Sequence, residues 1–139
     1  MPQIKAIEVY HDKSHCYGYQ FFYQDDKKTE LHYGRHPHVS YEHVRPERVE
    51  LQKGEYLTGM GHQCSHICNR LWFKTSMGRT ISFGGDGGNY AEFSTQGASK
   101  PYIFAIGAGM GGHICNLKCY YLDLAEFEEL TPQIDIGEA

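Results

Sequence analysis

Gly59-Met60-Gly61 leads into His66-Ile67-Cys68-Asn69, and Gly109-Met110-Gly111-Gly112 leads into His113-Ile114-Cys115-Asn116. A tetrapeptide repeated together with its glycine approach marks an internal repeat, so the chain is read as a repeat first. Each copy opens a strand-like run. Residues 66–75 (HICNRLWFKT) place Leu71 and Phe73 on one face, and 113–122 (HICNLKCYYL) follow the second copy. The glycines before each copy are read as turns that deliver the chain into a strand.

Working outward, the same pattern fills the rest of the chain. Residues 4–10 alternate, 17–24 put Tyr17, Tyr19, Phe21 and Tyr23 on one face, and a polar turn, Asp25-Asp26-Lys27-Lys28, leads to 29–33. Arg79-Thr80-Ile81-Ser82-Phe83 is the expected hairpin partner of 66–75, and Tyr102-Ile103-Phe104-Ala105-Ile106 is the most apolar strand. Between these lie a polar stretch, 34–48, whose Pro37 and Pro46 argue for a surface connection, and the loop Gly84-Gly85-Asp86-Gly87-Gly88. Sixteen Gly, eleven Tyr and seven Phe in 139 residues fit short strands and tight turns better than helices. One all-β domain of three meanders is the expectation, over 1–122. Residues 123–139 then form an acidic C-terminal tail or a short helix carrying Leu124, Phe127 and Leu130.

A net charge of −4 offers no basic field for a phosphate backbone, which argues against nucleic acid. No apolar run is long enough for membrane insertion, and the N-terminus lacks the regions of a signal peptide, so the chain reads as cytoplasmic. The cysteines, Cys16, Cys64, Cys68, Cys115 and Cys119, are odd in number. In strands, 64 and 68, or 115 and 119, would stand about 13 Å apart, too far to bridge, so free thiols in a reducing compartment are expected.

Gly54-Glu55-Tyr56-Leu57-Thr58-Gly59, then Leu71-Trp72-Phe73-Lys74-Thr75, Gly78-Arg79-Thr80 and Phe83-Gly84, with Ile103 to Gly107 and the Gly111 loop, resemble the jacalin-related lectins. The resemblance covers roughly residues 4 to 122. It implies a β-prism I fold, three four-stranded antiparallel sheets with pseudo-threefold symmetry, and a non-catalytic carbohydrate-binding function. In that family a Gly-x-x-x-Asp loop holds the sugar, and the matching positions here are Gly111, Gly112, His113 and Cys115. Cys115 stands where the aspartate is expected, and a thiol does not replace a carboxylate that accepts two hydroxyls. The family's first strand, with its glycine-rich loop, also has no counterpart.

Both departures fall at one sugar site. Gly85, Asp86 and Asn89 supply an alternative, with a glycine frame, a carboxylate and an amide able to bond paired hydroxyls. The expected partner is a glycan or glycoprotein. A second copy or another protein is expected at the sheet edge that the missing strand leaves open. The competing expectation is an interaction module that keeps the prism and has lost the sugar site.

His62, Cys64, His66 and Cys68 alternate, a weak pattern for a metal, because their spacing is not that of a zinc finger or ribbon. His113 and Cys115, at i and i+2, point the same way without facing each other, and no phosphate loop is present, so no enzyme and no cofactor are expected.

Overall fold

The computed structural model describes residues 3–29, 32–33, 42–65, 67–93, 95, 97–108 and 117–125. Ten strands run in chain order: β1 (Ile4–His11), β2 (Cys16–Tyr23), β3 (His32–Tyr33), β4 (Arg45–Glu50), β5 (Leu57–Cys64), β6 (Cys68–Thr75), β7 (Thr80–Gly84), β8 (Asn89–Glu92), β9 (Pro101–Ala108) and β10 (Leu117–Asp123). All the pairings are antiparallel.

The strands group as β4-β1-β2-β3, β7-β6-β5-β8 and β9-β10. The first two groups share one order, with the fourth strand of each returning beside the first. The groups meet at seams of a single register pair, Cys16↔Cys68 between β2 and β6 and Leu57↔Ile103 between β5 and β9. A sheet held at its seams by so little pairing turns there, and three faces enclose one core. That core takes Ile7, Val9 and Phe21 from the first face, Met60, Leu71, Phe73 and Phe83 from the second, and Ile103 and Ile106 from the third. Phe73 meets Phe21 edge-on at 5.9 Å and Phe83 at 6.4 Å, so aromatic contacts join two faces.

Gly59-Met60-Gly61 is not a turn but the middle of β5, and this corrects the sequence reading. A Cβ on Gly61 would lie 2.2 Å from Cζ2 of Trp72, directly opposite in the β5–β6 register. The glycine makes room for an indole on the outer face while Met60 fills the core on the other. Residues 45–50 likewise form a strand rather than part of a surface connection. Pro46 is tolerated because, among the described residues, β4 is an outer strand that pairs with β1 alone, where Pro46 stands opposite Tyr10.

Below the prism, Glu55 is fully buried, and its carboxylate accepts from Arg79 Nη2 at 2.7 Å, Arg79 Nε at 2.8 Å, Thr75 Oγ1 at 2.6 Å and the Gln52 N–H at 2.8 Å. After β10 the Asp123 carboxylate accepts from the N–H groups of Ser99, Lys100 and Ala125, and Leu124 is buried. The rest of the expected tail, 126–139, lies outside the described residues.

Candidate carbohydrate site

At the end of the prism where β1 and β7 finish, two turns pack together. The 84–88 loop joins β7 to β8, and the 12–15 turn joins β1 to β2. A Cβ on Gly85 would lie 2.7 Å from the Ser14 carbonyl oxygen, so the two turns touch backbone to backbone. Gly88, at φ +88°, would bring a Cβ to 2.6 Å from the carbonyl carbon of Cys64, a conformation and an approach open only to glycine.

Asn69 braces the loop from beneath. It is 9% exposed; its backbone oxygen accepts from the Gly85 N–H at 2.7 Å, and its Nδ2 donates to the Asp86 carbonyl at 3.2 Å. Its Oδ1 accepts from Ser65 Oγ at 3.0 Å, so both ends of the amide are engaged. Held this way, the loop presents Asp86 and Asn89 to solvent. Asp86 Oδ1 accepts from the Gly87 N–H at 3.0 Å, which orients the carboxylate. Asn89 opens β8 opposite Cys64.

The neighbouring turn is just as tightly bonded. Asp12 accepts from the N–H groups of Ser14 and His15 and from the Tyr17 hydroxyl. Partial burial works against its ionised form, but these donors outweigh burial and hold the carboxyl below its usual 3.8. His11 Nδ1 accepts from the N–H groups of Lys13 and Gly84, both at 3.3 Å, and Nε2 lies 2.7 Å from Glu47 Oε1. With Nδ1 accepting, the ring proton sits on Nε2 and is donated to Glu47. One imidazole thus ties β1, β7 and β4 together beside a cleft of about 350 Å³ that Lys13, His43 and Arg45 also line. Sequence reading missed this residue because its partners are 36 and 73 positions away.

The structure therefore holds Gly85 and Asp86 in one braced loop and places Asn89 at the start of the strand that follows it. Gly111, Gly112, His113 and Cys115 lie outside the described residues, as does His66. The weak metal set loses one of its four members. Cys64 is disulfide-bonded and has no thiolate to offer, and no group of three His, Cys, Asp or Glu able to hold a metal occurs among the described residues. The disulfide also corrects the expectation of free thiols throughout, although Cys16, Cys68 and Cys119 are free. His62 packs edge-on against Phe93 at 5.4 Å, and its Nδ1 has no partner among the described residues.

The geometry sits in a recognisable frame. The family model for the jacalin-like lectin domain matches residues 1–117. No curated protein matches the sequence. Among solved structures, a prostate-specific glycoprotein lectin superposes with a TM-score of 0.69 at 16% identity, over 86% of this chain and 81% of its own. The agglutinin of Calystegia sepium gives 0.68 at 16%, over 87% and 83%. A mannose-binding jacalin-related lectin from Ananas comosus gives 0.64 at 19%, over 88% and 85%. At such identities the likeness to these structures is one of fold, the β-prism. With a family match over 1–117, the chain belongs to the jacalin-like lectin domain family.

Proposed function

We propose that this domain is a non-catalytic glycan-binding module whose sugar site is the 84–88 loop. The carrying observation is the exposed carboxylate of Asp86, oriented by the Gly87 N–H on a loop that Asn69 holds at two points. A sugar is neutral and covered in hydroxyls, so its recognition needs fixed acceptors and donors at low conformational cost. Asp86 supplies the acceptor, and the Asn89 amide supplies both. The Ananas comosus relative is described as mannose binding, which makes mannose the first ligand to try. Titration with mannose and galactose, alongside a glycan array, tests the reading. Saturable binding supports it, and no response below about 10 mM, together with capture of a stoichiometric protein partner, contradicts it.

One observation favours a second reading, association through a sheet edge. Among the described residues β10 hydrogen-bonds to β9 alone, so its outer side has no strand partner among them. A second copy of the chain pairing there gives a dimer in sedimentation at micromolar concentration. A strictly monomeric protein contradicts this second reading.

A further inference from the structure

Away from the loop, the outer face of the second sheet carries a feature that core packing does not require. Trp72 lies flat over the bare backbone of Gly61, and Tyr90 stacks on it with ring centroids 5.1 Å apart and planes 28° from parallel. Trp72 is 5% exposed, whereas Tyr90 is 64% exposed. One face of the phenol ring is therefore spent on the indole, and the other is open to solvent.

Tyr90 is also pinned in the plane. Its hydroxyl donates to Glu92 Oε2 at 3.0 Å, and Glu92 in turn pairs with Lys74. The Arg70 guanidinium lies 5.6 Å from the centre of the Trp72 ring, and its Nε donates to Ser82 Oγ at 2.8 Å; Arg70 and Tyr90 stand in one register row, both opposite Gln63. A free surface tyrosine rotates, and ordering it on binding has a cost. Here the ring is ordered beforehand, so a flat ligand meets a prepared surface.

The charges around the ring are not balanced. Glu92 is matched by Lys74, but Arg70 is held by a neutral hydroxyl and has no carboxylate partner among the described residues. The rim therefore carries one surplus positive charge beside an open aromatic face.

We propose that the Tyr90–Trp72 stack is a second saccharide site, distinct from the 84–88 loop, which takes an acidic pyranose such as a uronate. The axial C–H groups of a pyranose match the negative face of a phenol ring in shape and polarity. The Arg70 guanidinium then answers a carboxylate or sulfate on the same sugar. The repeated Gly-Met-Gly, which the loop site leaves without a role, contributes here through Gly61, because any side chain at that position would displace the indole beneath the platform.

The chain has a single tryptophan, and it lies under the platform, so its fluorescence reads the site directly. The titrants are methyl β-D-glucuronide and its neutral counterpart, methyl β-D-glucoside. The glucuronide is expected to change the emission saturably in the wild type and equally in Asp86→Ala, which separates this site from the loop. Tyr90→Phe keeps the ring and should bind within about three-fold of the wild type, while Tyr90→Ala should lose at least about ten-fold. Arg70→Gln should weaken the glucuronide about five-fold and leave the glucoside unchanged. No saturable change, a change that survives Tyr90→Ala, or equal affinity for the two sugars overturns the proposal.

Discussion

Arg79 grips Glu55 with two parallel bonds, Nη2 to Oε1 at 2.7 Å and Nε to Oε2 at 2.8 Å, and the carboxylate it holds is fully buried. The Arg79 bonds are the main reason that the carboxyl falls from 4.5 to about 2, with burial opposing and Thr75 and the Gln52 N–H adding to the effect. Because the folded value is depressed, this stabilisation is fully present above 4.5 and is lost as the pH falls toward 2. The shift corresponds to stability on the order of 3 kcal/mol. Urea denaturation of Glu55→Gln should therefore show a large loss at pH 7 that shrinks as the pH is lowered to 3. A loss independent of pH would contradict the ion-pair account.

Gly61→Ala tests the packing beneath the indole. An added Cβ at 2.2 Å from Trp72 and 2.8 Å from the Ala91 carbonyl forces the ring out of place. Overpacking of this kind costs about 1–3 kcal/mol. Thermal unfolding should show the loss, and the tryptophan emission should move to the red as the ring enters solvent. An unshifted spectrum with unchanged stability would contradict the arrangement.

His62 gives a second pH dependence of known sign. Burial holds its pKa below 6.5, so the unfolded chain binds the proton more readily than the folded one. Stability is unaffected above 6.5 and falls as the pH drops below that value. His62→Phe removes a buried nitrogen that has no partner among the described residues and fills the space beside Phe93, so it should cost about 1 kcal/mol or less at pH 7.5 and flatten the slope between pH 6.5 and 5. A slope unchanged in this variant would assign the dependence to other groups.

Asn69 is the brace of the proposed sugar loop, and its loss should be felt by the ligand as well as by the fold. Asn69→Ala removes the bonds to the Asp86 carbonyl and to Ser65 Oγ. About 1–3 kcal/mol of stability should go with them. Mannose affinity measured below the new melting temperature should fall too, whereas a variant that binds as well as the wild type would show that the loop needs no bracing.

The prism was legible because its repeat is written twice in the chain and because alternating apolar positions such as Leu71 and Phe73 name their own face. Gly59 and Gly61 were misread as a turn, since glycine favours turns and the indole that demands a bare strand lies across the sheet rather than along the chain. Pro46 misled in the same way, because nothing local says whether a proline sits at the outer edge of a sheet. Gly85, Asp86 and Asn89 could be picked out as a group, but the Asn69 brace and the His11–Glu47 bond could not. Those contacts join segments that meet only once the faces have closed.

The most direct test of the central claim is calorimetric titration of mannose into the wild type and Asp86→Ala. Among the described residues the Asp86 side chain makes a single bond, to the Gly87 N–H, so the variant should keep its fold and melting temperature within a few degrees. The account predicts millimolar, saturable binding by the wild type and a loss of at least about ten-fold in the variant. Equal affinity in the two proteins would contradict the assignment of the sugar site to the 84–88 loop.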